Sequence, residues 1–582
     1  MGTVLWIYWP ALHGQWLWDD DKLISRNSLV HDPAGLRTIW FEPENLLDYQ
    51  PLEVSVVWLE WQLWGKATLG YHLVNVVLHV VSAFLVWTLL RKLEARLAWL
   101  GGLLFAIHPI MVESVAWMSE LKNTLSLPPF LLAMIFWIEY DDHRRRRDYA
   151  WALGLFLAAM LCKATMVMFP VVILLYAWWK RDRIKPSDLR DATPFFGISL
   201  VLGLVTFWFN QFHAIGEEII PMGGILPRLA RGGLSLAFYF SKAVLPLGLC
   251  PIYPRWTVDP PSLVQFLPWP ILGGILYYLW TRRQNWGRHV LLGLGFFLVM
   301  LLPFIGFTAG SYMSLSWEMD HILYLPVIGL IGVGVAGLGR MDELIPNSAR
   351  PFGIGVVTVV MALLAWGSHR YAEKYVDQET LWTYTLQNNP GAYAAYNGLG
   401  EVLFRAGRMP EAIEYYEKAL RINPQYFIAR NNLAATLAQV GRTSEAMQLL
   451  EQLVQTNPDY AEAHDNLGNA YLKENLLPKA IEQYRQALLL KPDLPETQNN
   501  LGNALAQAGR LSEAIPHYEQ SLELDPDNAS VQANLGLALA QSGRYPEAIT
   551  HYEQSLRLNP DNAAARDDLA KLRTLVKGEG AP

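Results

Sequence analysis

Before about residue 370 the chain alternates long apolar runs with short polar connections; beyond it, apolar residues recur singly at helical spacing. A helical bilayer crossing needs about 20 apolar residues. On that scale the runs near 1–16, 70–90, 97–107 with a re-entrant extension, 124–140, 149–162, 164–179, 194–210, 267–281, 289–307, 322–339 and 352–368 predict about eleven crossings. Residues 229–252 are apolar too, but carry Arg231, Lys242, Pro246 and Pro251. A charge at mid-membrane costs about 2.5–3.5 kcal/mol on insertion scales, so this stretch reads as re-entrant or peripheral. The connections Arg91–Arg96, Arg144–Arg147, Lys180–Arg190, Arg282–Arg288 and Arg340–Arg350 hold 17 basic residues, which marks them as cytoplasmic. Eleven crossings from a cytoplasmic N-terminus then leave the C-terminal third outside the cytoplasm. They also place the polar stretches 16–69, 108–123, 211–228 and 308–321 on that same side. The first is too long for a mere connector, and a site is expected there.

In the C-terminal third, proline recurs at 390, 424, 458, 492, 526 and 560, a spacing of 34 residues. In the same register fall Leu399, Leu433, Leu467, Leu501 and Leu535; Gly400, Gly468, Gly502 and Gly536; and Ala412, Ala446, Ala480, Ala514 and Ala548. Small residues let two antiparallel helices approach, and Tyr416, Leu450, Tyr484, Tyr518 and Tyr552 fill the space between repeats. This is the pattern of the tetratricopeptide repeat (TPR). The predicted fold class is all-α: a polytopic helical membrane domain at 1–370 followed by an α-solenoid of TPR hairpins. A half-repeat connecting helix at 371–390 leads into five repeats at 391–560, and a capping helix and tail occupy 561–582. Asn432, Asn466, Asn500 and Asn534 share one position on the first helix of their hairpins, the helix that lines the concave face. This asparagine ladder resembles that of O-GlcNAc transferase. An amide both donates and accepts, so it can read peptide backbone; the alternative is a tolerated polar residue repeated with the consensus.

Composition narrows the classes. With 52% hydrophobic residues, 23 Trp and 26 Tyr, the chain is rich in residues suited to membrane interfaces. A net charge of −7 gives no footprint for nucleic acid. The two cysteines, Cys162 and Cys250, lie in or beside apolar segments, which argues against a disulfide scaffold or a thiolate metal site. No cleavable signal peptide is evident. Residues 3–17 are short for a span, and an incomplete or misassigned start is expected.

Candidate chemistry begins at Trp18-Asp19-Asp20-Asp21, after the first apolar run. Adjacent carboxylates repel, and one can be held protonated or paired to a cation; equally, the motif suits a solvated loop or a helix cap. On the same predicted side lie His108, Glu113, Glu120, Lys122 and Asn123. A carboxylate, an imidazole and an amine near the bilayer surface can bind a phosphate and hold an acceptor. Alternatively, His108 and Glu113 satisfy helix ends.

The order of Trp18-Asp19-Asp20, Tyr49-Gln50-Pro51-Leu52, Tyr71-His72-Leu73-Val74-Asn75 with His79, the stretch His108 to Asn123, Lys163 and Asp320-His321-Ile322-Leu323-Tyr324-Leu325-Pro326, with TPRs at the end, resembles the transmembrane and TPR-containing O-mannosyltransferases and their bacterial relatives, in the GT-C superfamily. The resemblance implies a GT-C-like membrane domain using a lipid-phosphate-linked sugar. It implies Asp20, supported by Asp19, as the base that activates an acceptor hydroxyl. His108, Glu113, Lys122, Lys163, Asp320, His321 and Tyr324 are then the residues expected at the donor phosphate and substrate. Gln50, Leu121 and His321 stand where relatives often carry arginine, so His321, Lys122 and Lys163 must supply the positive charge.

The expected activity is sugar transfer, mannose leading, from a polyprenyl-phosphate donor to hydroxyls of an exported polypeptide bound by the TPR array. No resident cofactor or protein-bound metal is expected, though a divalent cation could assist at the phosphate. The expected location is a bacterial inner membrane with the array on the periplasmic side. Two rivals share the architecture: a non-catalytic TPR scaffold for envelope assembly, and an O-antigen ligase or polymerase. Ligases place their chemistry in a large late loop, whereas the long acidic loop here comes first.

Overall fold

The computed structural model describes residues 1–579 except 43–45, 47–48, 210–221, 307–310 and 345. Most of the expected polar stretch 211–228, the start of 308–321 and part of the first loop therefore lie outside the described residues. The chain divides into two compact units, Met1–Ala392 and Tyr393–Pro582.

Among the described residues of the first unit, six helices are long and apolar enough to cross a membrane: Thr68–Lys92, Met118–His143, Pro186–Phe209, Leu263–Thr281, Gly287–Phe304 and Arg350–Tyr375. A seventh crossing is possible if the bent pair Ala98–Ile107 and Pro109–Ala116 counts as one. The chain is thus an integral membrane protein. Surface character agrees: only 6% of the apolar window in Leu263–Thr281 and 11% of that in Arg350–Tyr375 is buried. Ile271, Ile275, Val359 and Leu363 face outward. Such surfaces suit lipid.

The difference from eleven runs has a physical origin. Helix Gly2–Tyr8 has seven residues, Arg146–Cys162 seventeen and Phe169–Arg181 thirteen. At 1.5 Å per residue the last is only about 20 Å long. Val327–Leu344 has the length but carries Arg340, Asp342 and Glu343 at its end. In the ambiguous stretch, Ile225–Val244 is one helix of 20 residues. Its Arg231 is buried, donates to the Gly306 carbonyl at 2.6 Å and lies 4.5 Å from the Trp317 ring, so the charge is satisfied inside the protein.

The break at His108 is dictated locally. A residue before proline is pushed out of the α region, and His108 is extended (φ −75°, ψ 130°) ahead of Pro109. The chain bends by 54° there and re-forms short helical turns through Glu120. Lys163 is a second break, extended between Arg146–Cys162 and the 3-10 turn Ala164–Met168. Both interruptions carry polar side chains inward.

Among the described residues the second unit contains five helical hairpins, from Tyr393–Arg405 with Met409–Ile422 to Ala529–Gln541 with Tyr545–Leu558, then helix Ala563–Glu579. Its core is a small-to-large complement. A Cβ on Gly400, Gly468 or Gly502 would meet the ring of Tyr416, Tyr484 or Tyr518 at 2.5–2.7 Å. The repeat with Ala434 instead of glycine has Leu450 instead of tyrosine, both fully buried. Turn glycines 407, 441, 509 and 543 have positive φ, and Asn475 takes that place at φ 55°. Asparagine is one of the few other residues that adopts this conformation readily.

Candidate active site

The first loop enters through Trp18, held at φ 40°. Its ring stacks on Trp117 with centroids 5.3 Å apart and meets Trp382 edge-on at 4.8 Å, contacts that offset the cost of a left-handed non-glycine residue. The turn aims Asp20 inward. Asp20 is 0% exposed, and its two carboxylate oxygens accept from the Leu17 and Ser119 backbone N–H groups, each at 2.8 Å. The second bond ties the first loop to the helix break 99 residues later. Burial pushes the Asp20 carboxyl up to about 7, opposed by those two hydrogen bonds. Asp19 is half-buried; burial raises its pKa, and nearby Lys122 and Lys22 pull it back.

From Ser119 a chain of polar contacts runs inward. Glu120 Oε1 lies 3.4 Å from Lys122 Nζ. Glu120 Oε2 accepts from the Asn123 amide, and Asn123 Oδ1 accepts from Lys163 Nζ. Lys163 is only 8% exposed, so burial is compensated through this amide. Asn123, Lys163, Thr165, His321 and Tyr324 line one narrow cleft together with apolar Leu127, Met166 and Met300. A second cleft, lined by Gln50, Glu53, Ser119 and Lys122 among apolar Ile24, Leu29, Val54 and Val57, opens beside the residue that holds Asp20.

On the far side of the cleft, His321 Nδ1 is hydrogen-bonded to Glu113 Oε1 at 2.6 Å. Asp320 is locked differently: its oxygens accept from the Tyr253 and Tyr371 hydroxyls at 2.7 and 2.9 Å, and Tyr375 donates to Tyr371 at 3.1 Å. Burial pushes Asp320 up to about 7 and His321 down to about 4.

The structure therefore gathers Asp19, Asp20, Glu113, Lys122, Lys163 and His321 around these breaks. It separates others by what their atoms already do. His108 accepts from Ile110 N–H at Nδ1 (3.3 Å), so its Nε2 carries the proton, donated to the Ala243 carbonyl at 3.2 Å; both nitrogens serve the fold. Asp320 has both oxygens engaged by tyrosines. Tyr324 lines the cleft, yet its hydroxyl donates to His79 Nδ1 at 2.9 Å while His79 Nε2 donates to the Ala106 carbonyl at 3.1 Å. Of the arginine departures, Leu121 is buried among Ile24, Val30, Tyr71 and Met118, Gln50 lines the second cleft, and His321 the first. Sequence reading missed Asn123 as the bridge between Glu120 and Lys163, and Tyr253, Tyr371 and Tyr375 as the clamp on Asp320. Nothing in their spacing signals either role. Among the described residues no group of three or more His, Cys, Asp or Glu is placed to hold a metal ion.

In the second unit each ladder amide bonds to an asparagine outside the ladder, in the preceding repeat. Asn432, Asn466, Asn500 and Asn534 donate to Asn397, Asn431, Asn469 and Asn499, respectively, at 2.9–3.1 Å. All four ladder residues remain partly accessible.

Residues 51–208 match the family model described as dolichyl-phosphate-mannose-protein mannosyltransferase, and 368–427, 403–465, 473–509 and 493–561 match tetratricopeptide repeat models. Among curated relatives are protein O-mannosyl-transferase F38B6.6 of Caenorhabditis elegans (22% identical over 71% of this chain and 61% of that protein), Tmtc3 of Drosophila melanogaster (23%, 70% and 53%) and TMTC1 of Homo sapiens (25%, 71% and 54%). The chain thus spans 53–61% of the length of these three relatives. A solved structure of a thermophilic TPR protein of Thermus thermophilus is 25% identical, covering 31% of this chain and 100% of that one at a TM-score of 0.28.

Proposed function

Because the chain is TMTC-like, pairing a mannosyltransferase-type segment with tetratricopeptide repeats, we propose that it is a GT-C type protein O-mannosyltransferase. It moves mannose from a polyprenyl-phosphate donor to hydroxyl groups of a polypeptide bound by the repeats. The observation that carries this reading is the Asp20–Ser119 tether, which brings the first-loop acids to the helix break bearing Glu120, Lys122 and Asn123, and through Asn123 to Lys163.

The chemistry follows from those parts. A carboxylate takes the acceptor hydroxyl's proton as its oxygen attacks the sugar's anomeric carbon; the bond from that carbon to the phosphate oxygen breaks, and the phosphate leaves with the electron pair. Lys163, Lys122 and His321 are the cations available to the leaving phosphate. Asp20, with a carboxyl raised to about 7, is the base: near neutral pH a useful fraction is ionised and still basic enough to accept a proton. Asp19 is the alternative base, favoured by being the more accessible of the two. In that case Asp20 positions it. Helix Arg146–Cys162, and the 3-10 turn Ala164–Met168 with helix Phe169–Arg181, each short of a full span by itself, would with the other apolar runs complete a fold of about eleven crossings, with basic loops cytoplasmic and the repeats on the periplasmic side of a bacterial inner membrane. The ladder asparagines offer the groove's backbone-reading amides.

The test is transfer from synthetic polyprenyl-phosphate sugars to envelope protein by wild type, Asp20→Asn and Asp19→Asn. Loss with Asp20→Asn alone supports Asp20 as base, and loss with both supports a pair. Undiminished transfer by both variants removes the catalytic assignment. No transfer by wild type with any donor leaves the scaffold reading.

A further inference from the structure

A cavity of about 270 Å³ lies inside the first unit, toward the helix ends opposite the candidate active site. Helix Gly287–Leu301 touches both places: Met300, near its end, lines the Lys163 cleft, whereas Phe296, Leu292 and His289 line the cavity. At 1.5 Å per residue, Met300 and His289 lie about 16 Å apart along the axis, so the cavity is distinct from the cleft. Its inner walls are apolar, with Leu89, Leu93, Met134, Val172 and Val333 closing it from other helices. An apolar cavity of about 150 Å³ already binds benzene, so this one has room for a stretch of alkyl chain.

The mouth is polar, and its charges are unmatched. Glu94, exposed on the turn after Thr68–Lys92, lines one side. On the other, His289 Nδ1 accepts from Trp179 Nε1 at 3.1 Å, so Nε2 carries the proton and can donate. Arg288 comes one turn before Leu292, on the stripe that continues to Phe296. It is half-buried, and its Nε is buried without a hydrogen-bond partner. Among the described residues neither Glu94 nor Arg288 forms an ion pair, although nearby cations do: Lys92 with Glu139, Arg96 with Asp342 and Glu343, and Lys180 with Asp141 and Asp142. A carboxylate and a guanidinium thus share one mouth and stay too far apart to join. A ligand carrying both opposite charges would satisfy each.

We propose that this cavity binds a phospholipid of the surrounding bilayer that carries an ethanolamine headgroup. One acyl chain enters the apolar chamber, the phosphodiester meets Arg288 and His289 Nε2, and the ammonium meets Glu94. Guanidinium and imidazole N–H groups are the donors a phosphodiester needs, and a carboxylate is the acceptor a primary ammonium needs. A glycerol headgroup of net negative charge would set its phosphate near Glu94 with no cation of its own to offset it. Trp179 and Tyr176, also lining the cavity, are residue types suited to headgroup depth. The lipid joins Thr68–Lys92 to Gly287–Leu301 and Val327–Leu344, away from the transfer chemistry and independent of the proposed function.

The experiment titrates the purified full chain with phosphatidylethanolamine or phosphatidylglycerol of identical acyl chains and counts bound lipid by native mass spectrometry. Wild type is expected to favour the ethanolamine lipid by about two- to fivefold, the range for a charge pair open to water. Glu94→Lys is expected to reverse the preference toward phosphatidylglycerol, a gain that only a folded chain can show. Arg288→Gln is expected to weaken both lipids, and Ala336→Phe, which adds a ring to the cavity wall, to weaken both as well. Absence of an ethanolamine preference in wild type would overturn the proposal, as would a preference unchanged in Glu94→Lys. Displacement of the phospholipid by polyprenyl-phosphoryl mannose would also overturn it, by giving the chamber to the sugar donor's tail.

Discussion

The two units solve the problem of buried polar groups in opposite ways. In Tyr393–Pro582 each solution is local and repeated: an asparagine bonds to the preceding repeat, and the hydroxyl of Tyr484 or Tyr518 donates to Asn469 or Asn503 in its own hairpin. In Met1–Ala392 each is used once and spans the chain: Asp20 to Ser119 across 99 residues, Glu113 to His321 across 208 and His79 to Tyr324 across 245. Repetition spreads stability over nearest neighbours, so one lost contact is felt mainly in its own repeat. A contact that exists once and closes a long loop has no substitute, which is where chemistry can be concentrated.

The sharpest break of this contrast is Asp20→Asn, expected to lower sugar transfer by about 10²–10⁴, the usual range for loss of a general base, while leaving hydrogen exchange in the repeats unchanged. Next comes Gly468→Ala. The new Cβ would sit 2.6 Å from the Tyr484 ring, and overpacking of this kind costs about 1–3 kcal/mol. Hydrogen exchange of the full chain should show that loss in the hairpins around Gly468 and at most weakly in those further along. A loss spread evenly over all five hairpins would contradict neighbour-limited coupling.

A smaller, graded effect comes from pH. With Asp20 near 7 and active only when ionised, kcat/KM should fall about tenfold per pH unit below that point. An acid limb that persists in Asp20→Asn would assign it elsewhere. The smallest effect is expected at Arg442→Ala. Its pair with Glu445, at 2.6–2.7 Å, is solvent-exposed, and exposed pairs of this type contribute little. Exchange protection should not change measurably.

Much of this was legible in sequence. The 34-residue register placed every hairpin, because a repeat is built from neighbours and its periodicity is a local signal. The apolar runs and the pre-proline break at His108 were equally readable, since bilayer thickness and proline stereochemistry act on contiguous residues. The first-loop acids and the motifs around Glu113, Lys163 and His321 were visible as unusual polar residues in apolar surroundings. Their division of labour was not. His108 looked as chemically available as His321, and only packing showed that its two nitrogens are occupied by Ile110 and Ala243.

The sequence by itself determined an all-α chain with membrane helices before about residue 370 and tetratricopeptide hairpins after it, because hydrophobicity and repetition are summed along the chain. Tertiary structure alone decided which short apolar runs fall below spanning length, that Asn123 joins Glu120 to Lys163, that tyrosines clamp Asp320, and that Glu113 reaches His321. Those outcomes depend on how helix breaks far apart in sequence meet. No local pattern encodes that meeting.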